Sequence, residues 1–406
     1  MRILIALTYY RPHVSGLTIY VERLATGLAA RGHRVTILTS RYDARLPREE
    51  TSGGVRIIRI PVALRVSKGV LMPTFGYWAT RLVRSHDVLS LHLPQLDAAG
   101  LAMRGRLFGK PVTLTYHCDL QLPPGVFNRG VDWVVKGANY VSASYANRIV
   151  AYTRDYADHT PLLRRFATKI VVIPPPVVMP VPIGAEVEAF RAAHGLHGRC
   201  VIGYAARFAA EKGIEHLVDA MPALVARFPS LKVLFAGPYR DVIGEADYRA
   251  RLWPRIEALG DRWTFLDTLP PQELPAFYGA LDCLLLTSIN STESFGLVQV
   301  EAMLCGTPVV ASNLPGVRQP VKTTGMGIVV APADAQALGD GITRVLADRP
   351  AFVRSRSAVE ALYHVDVTVS GYERLFDGLV ASARGPGTAK GTLDVRSNTR
   401  SDESGA

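Results

Sequence analysis

Short, wholly apolar runs alternate with longer amphipathic stretches along this chain, and the alternation occurs twice. The first round opens on Arg2-Ile-Leu-Ile-Ala-Leu-Thr8, which predicts a strand buried on both faces. A loop follows through Pro12, His13, Ser15 and Gly16. Leu17, Val21, Leu24 and Leu28 then recur at helical spacing, and Gly32 closes the stretch. Further strands are expected near Val35–Thr39, Val88–Leu91, Val112–Tyr116, Ile149–Tyr152 and Ile170–Ile173, with helical stretches between most of them. Such a rhythm predicts a parallel sheet with helices on both faces.

The run Pro174-Pro-Pro-Val-Val-Met-Pro-Val-Pro182 suits neither a central strand nor a helix interior, because proline lacks the N–H that both require. It reads as a semi-rigid extended linker. The second round begins at Val201-Ile-Gly-Tyr-Ala205, with strands expected near Lys232–Ala236, Thr264–Leu266, Cys283–Leu286, Pro308–Ala311 and Ile328–Val330. A chain of 406 residues exceeds one typical core. The expectation is an α/β protein of two domains facing a cleft, in which ligands bind at the carboxyl ends of the strands.

Charge adds a second layer. The net charge is +11, yet residues 1–178 carry 24 Lys+Arg against 10 Asp+Glu, and the remainder carries 22 against 25. A basic first half suggests an anionic partner: a membrane surface, a phosphorylated acceptor or nucleic acid. No helix-turn-helix, zinc-finger or RNA-binding signature is present, so no nucleic acid is expected. Residues 65–84 mix Arg65, Lys68, Arg81 and Arg84 with Phe75, Tyr77 and Trp78, a composition that can dock on anionic lipid. No apolar run reaches the length of a membrane span, and no signal peptide is expected. Cys118, Cys200, Cys283 and Cys305 lack metal-ligand spacing and are expected as thiols in a reducing cytoplasm.

The candidate chemistry centres on Glu293-Ser-Phe-Gly-Leu-Val-Gln-Val-Glu301. Its small residues suit a tight turn into a helix whose free N–H groups and dipole favour an anion. Carboxylates on either side would bind hydroxyls, so the spacing suggests a ligand with phosphate in the middle and hydroxylated groups at both ends. A hydrolase pair fits less well. Eight helical residues span roughly 12 Å, beyond the roughly 5–9.5 Å of paired glycosidase carboxylates. No Gly-x-Gly-x-x-Gly follows either first strand, which argues against a dehydrogenase. After the second domain's first strand comes Arg207-Phe-Ala-Ala-Glu-Lys212-Gly213, where two cations can grip phosphate.

Together with Gly306-Thr-Pro-Val-Val-Ala-Ser312 and Pro315-Gly316, these blocks resemble the donor site of family 4 retaining glycosyltransferases, over roughly residues 1–380. The resemblance implies the GT-B fold, with two Rossmann-like domains whose parallel sheets face a cleft. The expected division is an acceptor-side domain at 1–178, a donor domain at 179–365, a helix at 366–383 packing back on the first domain, and a disordered tail at 384–406. By the same resemblance Arg207 and Lys212 grip the donor diphosphate, and the backbone of Phe295, Gly296 and Leu297 meets it. Glu293 contacts the donor sugar and Glu301 the ribose. His117 lies near the reacting carbon, Gly16 offers a backbone contact, and His92 is a second candidate beside His117. Asp119 is a candidate for an acceptor hydroxyl. The family's Gly-Gly loop has Ser15 in its first position here, Ile173-Pro-Pro-Pro-Val177 stands where Pro-Asn-Gly-Val is common, and Asp267 replaces a common glycine.

No Asp-x-Asp occurs, so no metal and no cofactor are expected. The activity implied is retaining, metal-independent sugar transfer from a nucleotide-sugar to a lipid-linked or polysaccharide acceptor. The expected location is cytoplasmic, peripheral to the inner face of the plasma membrane. The alternatives are a nucleotide-sugar epimerase on the same fold and a non-catalytic nucleotide-sugar-binding protein.

Overall fold

A computed structural model describes residues 1–66, 69–119 and 125–384. Ten strands lie in the first half: β1 (Arg2–Ala6), β2 (Arg34–Arg41), β3 (Glu49–Ser52), β4 (Val55–Pro61), β5 (Leu64–Val66), β6 (Gly69–Leu71), β7 (Val88–Leu93), β8 (Val112–Tyr116), β9 (Arg148–Ala151) and β10 (Ile170–Val172). Eight of them form one sheet in the order β10-β9-β8-β7-β1-β2-β4-β3. Every pairing in it is parallel except β3 with β4. Six more strands, β11 (Cys200–Ala205), β12 (Leu231–Ala236), β13 (Trp263–Phe265), β14 (Cys283–Leu286), β15 (Val309–Ser312) and β16 (Gly327–Val330), form a second sheet ordered β13-β12-β11-β14-β15-β16, parallel throughout. The fold is α/β, with two Rossmann-like parallel sheets.

The wholly apolar strands follow from this layering. Ile3 and Ile5 of β1 face Val21, Leu24 and Leu28 of the helix Gly16–Ala30. Leu4 and Ala6 face the opposite layer, with Ala79, Leu82 and Val83 of the helix Phe75–Ser85. A strand covered on both sides favours apolar residues at most positions. Ser15 begins the first long helix with a capping box. Its hydroxyl accepts from the Thr18 N–H at 3.2 Å, and the Thr18 hydroxyl accepts from the Ser15 N–H at 2.7 Å.

Some elements depart from the periodicity. The polar strand β3 and the hairpin β5–β6 were not foreseen. Glu-Glu-Thr-Ser has no apolar face and becomes a strand only by pairing with β4 at the sheet edge. The Gly53-Gly54 turn, with φ of +56° and +76°, was the available signal. Within 65–84, Phe75 belongs to the core rather than to an exposed face, whereas Tyr77 is exposed. Lys68 and residues 385–406, including nearly all of the expected tail, lie outside the described residues.

The proline-rich run is extended, but it is not free in solvent. Val177 and Met179 are buried, and the Val177 N–H donates to the Tyr363 carbonyl at 3.0 Å. The last helix, Val365–Arg384, lies against the helix Gly16–Ala30 of the first half. Its Tyr372 hydroxyl bonds Tyr20 at 2.8 Å and Thr115 at 2.6 Å, and Arg31 pairs with Asp366 at 2.7 Å. Among the described residues no helix is long and apolar enough to cross a membrane.

Candidate active site

In the second sheet, β11 and β14 are neighbours whose following connections run to opposite sides, which leaves a crevice at their carboxyl ends. The loop after β11 carries Arg207 and Lys212. The loop after β14 carries Glu293 and leads into the helix Leu297–Leu304. Two hydrogen bonds stitch these loops together. The Thr287 hydroxyl donates to the Lys212 carbonyl at 2.6 Å, and the Ile289 N–H donates to the Glu211 carbonyl at 3.0 Å. The approach is so close that a Cβ on Gly213 would lie 2.6 Å from the Thr287 carbonyl oxygen, and the residue adopts φ +61°.

The result is a direct contact between two of the expected site residues. Lys212 Nζ donates to Glu293 Oε2 at 2.7 Å, with side chains only 18% and 20% exposed. Arg207 stands at the rim, half exposed, and its guanidinium pairs with Glu211 at 2.5 Å. Gly296, at φ +75°, turns the chain into the helix so tightly that a Cβ would meet Leu286 at 2.2 Å. The first N–H groups of that helix have no carbonyl within it to bond. The buried Gln299, which the sequence did not single out, holds this turn by donating to the carbonyls of Phe295 and Val317.

Glu301 is buried and already partnered. One oxygen accepts from Arg23 of the first long helix at 3.1 Å, and the other accepts from the Tyr278 hydroxyl at 3.1 Å. Arg23 also donates to the carbonyls of Pro176 and Val178, at 3.1 and 3.2 Å. Neither Arg23 nor Tyr278 had any local signal.

His117 sits at the end of β8, buried, with both ring nitrogens engaged. Nε2 meets Nδ1 of His92 at 2.8 Å, and Nδ1 meets the Tyr152 hydroxyl. Burial pushes the His92 imidazole down to about 3, and burial together with His92 holds His117 well below the usual range, so both rings are neutral at pH 7. In this geometry His117 has no spare ring nitrogen for a sugar hydroxyl. Its carbonyl accepts from the Ser294 hydroxyl of the second domain. Gly16 opens the first long helix behind the Ser15 cap, and a Cβ there would meet nothing within 4 Å, so space does not demand glycine. Asp119 accepts from the Tyr116 hydroxyl at 2.7 Å.

A further clamp joins the domains. Asp155 accepts from the Gly316 N–H and from Arg318 Nε, both at 2.9 Å, and from Arg318 Nη2 at 2.5 Å. Burial works to raise this carboxyl, but Arg318 and the Gly316 amide outweigh it and hold Asp155 down at about 2.

Residues 15–176 match the model of the glycosyl transferase 4-like domain, and residues 186–360 match that of glycosyl transferases group 1. The 2-deoxystreptamine glucosyltransferase of Streptomyces kanamyceticus is 29% identical over 356 residues, covering 82% of this chain and 90% of its own. A D-inositol 3-phosphate glycosyltransferase of Xylanimonas cellulosilytica is 30% identical over 365 residues, covering 82% of this chain and 84% of its own. Among solved structures, Anabaena Alr3699/HepE in complex with UDP shares the fold, with a TM-score of 0.75 at 19% identity, covering 93% of this chain and 100% of that one. The chain belongs to family 4 of the GT-B glycosyltransferases. It is an enzyme of the glycosyltransferase class with a nucleotide-sugar donor.

The stitched loops yield a direct test. Gly213→Ala places a methyl group against a backbone carbonyl at a left-handed position, which should cost on the order of 1–3 kcal/mol of stability. Thermal or denaturant unfolding of the full chain measures it, and a variant as stable as the parent would contradict the close approach.

Proposed function

We propose that this enzyme is a retaining glycosyltransferase that needs no metal or other cofactor and moves a sugar from a uridine diphosphate sugar to a hydroxyl of a lipid-linked or glycan acceptor. The observation that carries this reading is the Lys212–Glu293 contact of 2.7 Å beside the Gly296 helix start. A largely buried ammonium, a rim guanidinium and free helix N–H groups provide for a leaving diphosphate what a divalent cation would otherwise supply. The uridine assignment takes its support from the UDP complex of the structural neighbour.

In the proposed reaction the bond from the sugar's anomeric carbon to the β-phosphate oxygen breaks. The acceptor oxygen bonds to the same face of that carbon, and its proton passes to the departing phosphate. Lys212 and Arg207 stabilise the charge that develops on the diphosphate, while Glu293 and the helix start position the donor. Glu301 takes the ribose hydroxyls once donor binding draws it from Arg23. This route requires no carboxylate nucleophile.

The curated relatives are named for 2-deoxystreptamine and for D-inositol 3-phosphate. Both are hydroxylated six-membered carbon rings, and they favour a second reading in which the acceptor is such a ring free in solution. Cytoplasmic, peripheral membrane attachment belongs to the first reading. Its support is the surface of the helix Phe75–Ser85, where Tyr77, Arg81 and Arg84 line a groove of about 480 Å³, and the 80% exposed Trp133 on the helix Val126–Tyr145.

Lys212→Ala should lower kcat/KM by a factor that corresponds to about 2–4 kcal/mol. Arg207→Ala should cost less, because its guanidinium is half exposed. Release of nucleoside diphosphate from a panel of nucleotide-sugars is the measurement, and unchanged rates in both variants would remove this loop from the site.

Activity should persist in excess chelator. Loss of turnover that magnesium or manganese restores would contradict metal independence.

Co-sedimentation should show tighter binding to anionic than to neutral vesicles, weakening as salt rises. Arg81→Ser, Arg84→Ser and Trp133→Ser combined should reduce it. Salt-independent or absent binding would favour the free acceptor.

A further inference from the structure

Glu301, the carboxylate proposed for the donor's ribose, is held on both oxygens by groups of the protein itself. Oε2 accepts at 3.1 Å from the hydroxyl of Tyr278, on the helix Leu274–Ala280 of the same domain. Burial, with the Glu301 carboxylate beside it, raises this hydroxyl well above its ordinary range, so it stays a neutral donor. Oε1 accepts at 3.1 Å from Nη2 of Arg23, which belongs to the opposite domain. Of the two oxygens, Oε1 is therefore the one turned toward the cleft. The Glu301 side chain is 9% exposed and that of Arg23 19%, so a ribose hydroxyl reaches Oε1 only where the guanidinium stands.

The surroundings of Arg23 make this contact exchangeable. Nη1 donates to the Pro176 carbonyl at 3.1 Å, and Nη2 also donates to the Val178 carbonyl at 3.2 Å. Both acceptors lie in the extended proline-rich segment, which the bond from the Val177 N–H to the Tyr363 carbonyl holds in place. A guanidinium that gives up Glu301 thus keeps two fixed partners, and no buried cation is stranded. Glu301 keeps Tyr278 on one oxygen and gains hydroxyl donors on the other. Both arrangements are hydrogen-bonded, which brings them close in free energy. A nucleotide without ribose hydroxyls has nothing to offer Glu301 in exchange for Arg23.

We infer that Arg23 is a positioning residue that competes with the donor's ribose for Glu301. Nucleotide then binds at the expense of a contact from the other domain, and re-forming that contact favours release of the spent nucleoside diphosphate. The inference rests on the ribose role of Glu301 proposed above and deepens it by naming the group that regulates this subsite. With Arg23 in place, apparent nucleotide affinity is lowered according to the fraction of Glu301 that it occupies.

The test is calorimetric titration of the full chain with UDP and with its 2′,3′-dideoxy analogue. The parent should bind UDP more tightly than the analogue, which lacks the hydroxyls that reach Glu301. Arg23→Met and Arg23→Gln should each bind UDP at least about fivefold more tightly than the parent, with affinity for the analogue changed less than about twofold. Loss of a merely structural tie would move both nucleotides in parallel. Arg23→Gln keeps an amide N–H for the Pro176 carbonyl, so it reports on the exchange should Arg23→Met fail to fold. UDP binding that is unchanged or weaker in the folded variants overturns the inference alone, as does equal tightening of both nucleotides. A parent that binds UDP and the analogue equally overturns the ribose role of Glu301 and the inference with it. Failure of UDP to bind the parent overturns the donor-site reading as a whole.

Discussion

Two sheets can share one site only if their separation is fixed, and the helix Val365–Arg384 fixes it. The chain leaves the second sheet and packs on the first long helix. There the Tyr372 hydroxyl bonds both Tyr20 and Thr115. A buried hydroxyl with two partners is costly to detach, because opening would leave polar groups unpaired. The apolar core is continuous across this seam: Tyr20, Phe295, Val300 and Tyr372 belong to one cluster. Arg23–Glu301, Asp155–Arg318 and the Ser294 hydroxyl on the His117 carbonyl are further cross-domain contacts. Arg23 touches Glu301 and Ser294 adjoins Glu293, so domain position and the geometry of the candidate site are set in part by the same bonds.

The cations of the candidate site are distinct from the charge that dominates the chain. The excess of Lys and Arg lies in the first 178 residues, yet Arg207 and Lys212 come from the remainder, where acidic residues are in slight excess. Local geometry makes the difference. Lys212 is held by backbone contacts between two loops and is largely desolvated, so its interaction with an anion is screened less than that of surface arginines. The first half's positive surface acts at longer range and under full screening.

The region around His117 illustrates how burial assigns a role. Two imidazoles and the Tyr152 hydroxyl form a short buried chain behind Ser294. Low dielectric keeps both rings neutral, so between the two facing nitrogens only one proton is shared. The ring orientation is thereby fixed by its neighbours, and what His117 turns toward the second domain is its backbone carbonyl.

Much of this protein was legible in its amino-acid order. Uniformly apolar runs marked strands buried on both faces, and the Pro174–Pro182 segment marked the division between two rounds of strand and helix. Arg207 with Lys212, and Glu293 with Gly296, stood out within two short segments, because each signal depends on residues near one another in sequence; that Lys212 meets Glu293 across 81 positions was decided by the fold. What the tertiary structure alone decided involves distant partners. Arg23 reaches Glu301 across 278 positions and Tyr372 reaches Tyr20 across 352. Tyr278, Tyr152 and Gln299 carry no motif, and β3 becomes a strand only because β4 lies beside it. Periodicity reports which face of an element is apolar, not which element will cover it. A lone tyrosine or arginine therefore gains its meaning from burial and from the polar group that the fold places opposite it.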